Sequence, residues 1–334
     1  MQHKAGPRLL VTDRQSALYL ERARVEVQGD RVIYYGTDDD LRRAYNIPHV
    51  NVAVLFLGQG TSITQDAMRL LGEEHVHVAF TGSGGTPLHM GALTTYTATR
   101  HFRAMLAVYV DSNRSLAAAR SVMRDRVAHM KKIGSLYAQK HLKTRDVAGL
   151  ARLGAHFEQN LENCATTGDL LGREGEYAKA CYKEFAQISG VSKSHTFRRE
   201  PGLLQHDHSD AVSRINRLID HGNYLCYGVA GAALWAAGIP PHMALFHGKT
   251  RAGGLVFDIA DSFKDALVLP FAFAVGKEGG SDYEKTFREK MIQAFDDTSV
   301  LAECFQTFER MFAAAGVTEK TVLESVSDDG GDRA

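Results

Sequence analysis

Apolar and polar positions change their period near residue 93. Before it, short β-rich runs recur at Leu18–Leu20, Arg24–Val27, Val32–Tyr35, Asn51–Leu57 and Val76–Phe80. Turn residues separate them, as at Gly29-Asp30 and Gly36-Thr37-Asp38. One helix is predicted inside this region, over about 62–71. Ser62 followed by Gln65 has the form of a capping box, and Ile63, Ala67, Leu70 and Leu71 give a helical stripe. After residue 93 the period is helical. Leu116, Ala117, Ala119 and Val122 begin a long amphipathic pattern, and 144–163, 169–189, 210–237, 260–275 and 282–315 read as helix. Residues 191–209 read as an irregular loop, and the final SVSDDGGDRA as a disordered tail. The expected fold class is α+β with two domains: a β-rich domain over 1–92 and a larger all-α domain over 93–323, followed by the tail over 324–334.

Composition narrows the class. The 334 residues leave room for two domains, and 44% apolar with 23% charged residues is globular composition, which excludes disorder of the whole chain. Lys+Arg and Asp+Glu balance at 39 each, so any nucleic-acid surface must be local rather than a bulk charge effect. The charges do segregate: 11 basic against 2 acidic residues over 99–145 leave +9, and 9 acidic against 3 basic from Asp296 onward leave −6. The basic stretch reads either as a phosphate-binding strip or as a solvated helical face. Cys164, Cys181, Cys226 and Cys304 are widely spaced without a CxxC, and the first three stand in apolar or helical surroundings, which favours buried free thiols. The N-terminal MQHKAGPRLL is too short and polar for a signal peptide, and the 16-residue apolar run Tyr224–Ile239 stops at Pro240, short for a membrane span. A cytoplasmic protein is expected.

Several glycine- and histidine-containing patterns carry little. Gly58-Gln59-Gly60 and Gly82-Ser83-Gly84 begin dinucleotide fingerprints, but Ile63 and Pro87 stand at the third glycine position. Gly248-Lys249-Thr250 ends like a phosphate loop, but Met243 stands where its first glycine belongs. His206-Asp207-His208 reads as solvent-exposed polar residues in a loop.

Two stretches carry more. In LFHGKTRAGGLVFDIADSFKD (245–265), a helix starting at Asp258 places Asp258 and Asp261 on one face, among apolar neighbours, with His247 shortly before them. Buried carboxylates need a cation. The alternative is an N-terminal cap, which explains one Asp well and the pair with His247 less well; both readings stand. In DLLGREGEYAKACYKEFA (169–186), Glu174 shares a stripe with Ala178 and Cys181, while Lys179 and Lys183 point away. A carboxylate on an apolar stripe wants a partner, with a salt bridge as the simpler one.

Together these stretches resemble the glutamate motif (REGEYAKACY) and the histidine–aspartate motif (HGKTRAGGLVFDIADSFKD) of the CRISPR-associated adaptation integrase, the first of the two universal Cas adaptation proteins. NRLIDHGNYLCYG, LFLGQGTSITQDAMRLL and VAFTGSGGTPL match further family segments, closest to the subtype I-F branch, over roughly residues 15–320. The resemblance implies a metal-dependent DNA endonuclease and integrase that inserts short foreign DNA into a CRISPR array by attack of a 3′-hydroxyl on a phosphodiester. It implies Glu174, His247 and Asp261 as ligands of one Mg2+ or Mn2+, with Asp258 behind them or as an occasional ligand. It also implies a homodimer formed through the β-domain, and a second adaptation protein as partner, fused to the helicase–nuclease in subtype I-F. Double-stranded and branched DNA are the expected substrates, with no membrane. Lys249 and Arg251 are proposed to bind flanking phosphates, and Arg124, Arg126, Lys131 and Lys132 to form a backbone-binding strip. Two alternatives remain: a non-catalytic DNA-binding scaffold, and a metal-dependent hydrolase of small phosphoesters.

Overall fold

The structure is a computed structural model that describes residues 14–36, 43–81, 87–90, 99–193, 197–202, 210–248 and 253–318. The β-rich beginning and the helical remainder are both present. The five long runs become β1 (Gln15–Leu20), β2 (Ala23–Gln28), β3 (Arg31–Gly36), β5 (Val52–Leu57) and β7 (His77–Thr81). Short β4 (Tyr45–Asn46), β6 (Ser62–Ile63) and β8 (Pro87–Met90) complete two four-stranded sheets, ordered β1-β5-β7-β8 and β4-β3-β2-β6. The β2–β3 hairpin turns on Gly29 and Asp30, both with positive φ (57° and 59°), as a two-residue turn matching the strand twist requires. The helix α1 spans Gln65–Glu73 and is capped by Thr64, whose side chain accepts from the Ala67 N–H. Ser62 instead lies in β6, so the expected capping box at Ser62–Gln65 is replaced by a cap two residues later.

The strand β5 ties the two regions together. Its run VAVLFL is buried on both faces, as expected for a central parallel strand. Leu55 and Leu57 pack with α1 in the β-rich core, while Val54 and Phe56 pack into the helical core.

The helices are α2 (Arg100–Tyr109), α3 (Ser112–His129), α4 (Ser135–Leu142), α5 (Ala148–Leu161), α6 (Thr167–Ile188), α7 (Ala211–Ala236), α8 (Gly254–Asp261), α9 (Lys264–Glu278), α10 (Tyr283–Asp297) and α11 (Val300–Ala314). A π-helical turn, Met130–Gly134, joins α3 to α4. The helix α9 is buried almost all round, from Asp265 to Phe273, and forms the centre of the domain with α7. The 224–239 run lies largely in α7 and is mostly buried; among the described residues no helix is long and apolar enough to cross a membrane. The predicted 282–315 helix is two helices, broken at Thr298–Ser299, where Ser299 takes a left-handed φ of 49°. All four cysteines are free and buried, Cys164, Cys181 and Cys226 as their apolar surroundings suggested. The segment 203–209 with His206-Asp207-His208, and the tail, lie outside the described residues.

Candidate metal centre

Three of the predicted site residues converge. Glu174, His247 and Asp261 each offer a ligand atom, and these atoms lie within 4.8 Å of one another. They come from three elements: Glu174 from two turns inside α6, His247 from the α7–α8 connection and Asp261 from the last residue of α8. The start of α6 is set by a reciprocal capping box, in which the Thr166 side chain accepts from the Asp169 N–H and Asp169 accepts from the Thr166 N–H.

The helix carrying the aspartates begins earlier than expected, at Gly254. Gly253 precedes it with φ 74°, a left-handed conformation that glycine adopts without a steric penalty. A Cβ on Gly254 would stand 2.6 Å from the Ala244 Cβ and 3.2 Å from the His247 carbonyl, so the His247 loop crosses the helix start closely. Asp258 and Asp261 therefore lie in the later part of α8, and the N-terminal-cap reading fails for both. At that end the helix dipole disfavours a carboxylate, so other groups must stabilise them.

For Asp258 those groups are donors. Its carboxylate is fully buried and accepts from the Leu245 N–H at 2.6 Å, the His247 N–H at 3.2 Å and the His247 Nδ1 at 2.7 Å. A neutral imidazole that donates Nδ1–H to Asp258 keeps its Nε2 lone pair for a ligand. Asp258 thus belongs to the support of His247.

For Asp261 and Glu174 the groups are cations. Lys264 Nζ pairs with Asp261 Oδ1. Arg126 Nη1 donates to Glu174 Oε1 at 2.5 Å and lies 3.7 Å from Asp261 Oδ2, and its Nε donates to Asp265 Oδ2 at 2.9 Å. Arg126 is 1% exposed. It is therefore not part of a phosphate-binding surface strip: its guanidinium is consumed inside the protein by three carboxylates. Arg124 is exposed but pairs with Glu162 on another side of α3, so the +9 stretch does not form one face. Lys131 and Lys132 are exposed on the π-helical turn. Lys249 and Arg251 lie outside the described residues. Lys264 and Asp265 were not singled out in the sequence, although both sit beside Asp261 in an apolar context.

The electrostatics follow from this packing. Burial works against ionised Glu174, but Arg126 and Lys264 outweigh it and hold its carboxyl below the ordinary range. Burial raises the Asp261 carboxyl despite Lys264 and Arg126. Burial also disfavours charged Lys264, yet Asp261 keeps its ammonium well above the ordinary value. Asp261 Oδ2 is buried with no hydrogen-bond partner. Glu174, Asp261 and Asp265 share the two cations Arg126 and Lys264, while Asp258 is held by His247 and backbone N–H groups. Two carboxylates and an imidazole are a donor set for Mn2+ or Mg2+. The residues present therefore fit a metal.

Comparison with known proteins shows the family. The family described as "CRISPR associated protein Cas1" matches residues 9–309. A protein of Pectobacterium atrosepticum named "CRISPR-associated endonuclease Cas1" is 34% identical over 306 residues, covering 88% of this chain and 90% of its own. Two solved structures share the fold. A TtCas1–DNA complex has a TM-score of 0.63 at 22% identity, covering 89% of this chain and 91% of its own. A casposase bound to integration product has a TM-score of 0.68 at 15% identity, covering 91% of each chain. The chain that folds around the Glu174–His247–Asp261 cluster belongs to the Cas1 family of CRISPR-associated proteins.

Proposed function

We propose that this protein is a divalent-metal-dependent DNA endonuclease and integrase of CRISPR adaptation, which inserts short foreign DNA into the array by 3′-hydroxyl attack on a phosphodiester. One observation carries the reading: two carboxylates and an imidazole bring ligand atoms within 4.8 Å of one another, and one Asp261 oxygen there is buried without a hydrogen-bond partner. Glu174, His247 and Asp261 would hold the ion, and Asp258 would fix the His247 tautomer. When bound, a Mg2+ or Mn2+ ion supplies a positive centre for the charge that develops on the phosphate oxygens. The protein's own residues set the rest. Arg126 and Lys264 keep the ligand carboxylates oriented, and burial of Arg126 and Asp261 strengthens the charge interactions between them.

A path for the DNA strand runs beside α6. A groove of about 820 Å³ is lined by Lys179, Lys183, Arg198 and Arg199 with Tyr182 and Phe197, and none of its described lining residues is acidic. Cations with flat rings suit a phosphate backbone and its bases. Arg199 pairs with Asp220 and forms the wall, while Lys179, Lys183 and Arg198 are exposed. Lys131, Lys132, Arg124, Lys249 and Arg251 remain further candidates for phosphate contact. A homodimer and a second Cas adaptation protein are the proposed assembly partners.

The test is cutting of branched DNA, and joining of a 3′-hydroxyl end to repeat DNA, with Mn2+ or Mg2+ present. Glu174→Gln, His247→Ala and Asp261→Asn should each abolish both reactions while DNA binding persists. DNA binding by the wild type without metal-dependent turnover would instead establish a scaffold.

A further inference from the structure

We infer that Arg126 is a positioning residue of the metal centre, aiming the ligand carboxylates rather than touching DNA. The inference rests on the reading of Glu174, His247 and Asp261 as ligands. Arg126 sits on α3, remote in sequence from all three. One edge of its guanidinium, Nε and Nη2, is fixed by Asp265 at the start of α9. The remaining Nη1 points between Glu174 and Asp261, at 2.5 Å and 3.7 Å. The Tyr177 ring lies 5.5 Å from the guanidinium carbon. The planar fork is thus held at three places, and its charge cannot be lost by deprotonation.

Stability does not account for such a group. A buried ion network is often no more stabilising than well-packed apolar residues of the same volume. What the network does supply is direction. Arg126 takes Glu174 Oε1 and leaves Oε2; Lys264 takes Asp261 Oδ1 and leaves Oδ2, the oxygen without a hydrogen-bond partner. Each ligand carboxylate is therefore tied by one oxygen to a buried cation, which sets the rotation of the other. Two like charges this close would otherwise swing apart in the metal-free protein. Asp265 sets Arg126, Arg126 sets Glu174, and Lys264 sets Asp261.

The decisive variant is Arg126→Gln/Asp265→Asn in the full chain. It removes one positive and one negative charge, so the net charge of the cluster is unchanged while the hold on Glu174 is lost. Mn2+ binding is measured by calorimetry and by the electron paramagnetic resonance spectrum of the bound ion, with thermal unfolding of the metal-free protein as the fold control. The expected result is a lowered unfolding midpoint in a variant that still unfolds cooperatively, a Mn2+ dissociation constant raised about tenfold or more, and a broadened spectrum. Wild-type affinity and spectrum in the folded double variant would overturn the inference. If that variant does not fold, Arg126→Lys decides: it keeps the charge without the fork, and unchanged Mn2+ binding would overturn the inference equally. Failure of the metal reading looks different, because wild type would then bind no Mn2+ that Glu174→Gln abolishes.

Discussion

Asp258 Oδ1 accepts the Nδ1–H of His247 at 2.7 Å while the same carboxylate accepts the backbone N–H groups of Leu245 and His247. One buried acid thus fixes both the loop that brings His247 to the site and the tautomer of its ring. Asp258→Asn keeps the size but offers a single acceptor oxygen, and its amide can face the imidazole as a donor. The expected result is a metal requirement raised about 10- to 100-fold for DNA cutting, with maximal rate recovered in part at high Mn2+. The check is the Mn2+ concentration giving half-maximal cleavage. A curve superimposable on wild type would remove Asp258 from the support of His247.

Much of the fold was legible because its signals are local. The β-rich run Asn51–Leu57 became β5, and the helical period of the later residues became α2 to α11, from Arg100 onward. β4 and β6 were not legible, since two-residue strands have no period. The break at Thr298–Ser299 was hidden because the polar Asp-Asp-Thr-Ser run continues a helical pattern. At the site, the acids of 258–261 looked like a helix start because the real start depends on the left-handed Gly253. Arg126 was misplaced by its basic neighbours. The missed signal was periodic: Ala119, Val122, Arg126 and Met130 lie on one buried stripe of α3 and its π-helical turn, so Arg126 occupies a core position. Its partners, 48 or more residues away, are set by packing and cannot be read from local spacing.

His221 predicts the acid limb of stability. It is 1% exposed on α7, packs at 5.8 Å on Phe287, and has no hydrogen-bond partner on either ring nitrogen. Burial, aided by Arg288, lowers its pKa to about 3. The unfolded chain takes up this proton first, below its ordinary value of 6.5. Stability from neutral His221 is therefore complete above that pH and lost as pH falls towards about 3, by up to roughly 1.4 kcal/mol per pH unit. His221→Leu removes the titrating ring at similar volume. Denaturant unfolding at a series of pH values should show the variant gaining on wild type through this window. Parallel curves would mean that His221 is not the group responsible.

Salt dependence locates the DNA. Each phosphate neutralised by a lysine releases condensed counterions, so the slope of log affinity against log salt counts contacts. If a strand lies along the α6 groove, Lys179→Gln/Lys183→Gln should lower affinity at low salt regardless of sequence. It should also reduce the slope by about 1.4 for a single strand or about 1.8 for a duplex. The difference between those two values reports which form of DNA occupies the groove. Lys131→Gln/Lys132→Gln makes the same comparison on the π-helical turn. Both pairs are exposed and neither belongs to the ligand cluster, so metal affinity should stay at wild type in each. Fluorescence anisotropy over a salt series with labelled single-stranded and duplex DNA measures all four slopes. An unchanged slope in the α6 pair with a reduced slope in the 131–132 pair would move the strand path from α6 to the π-helical turn.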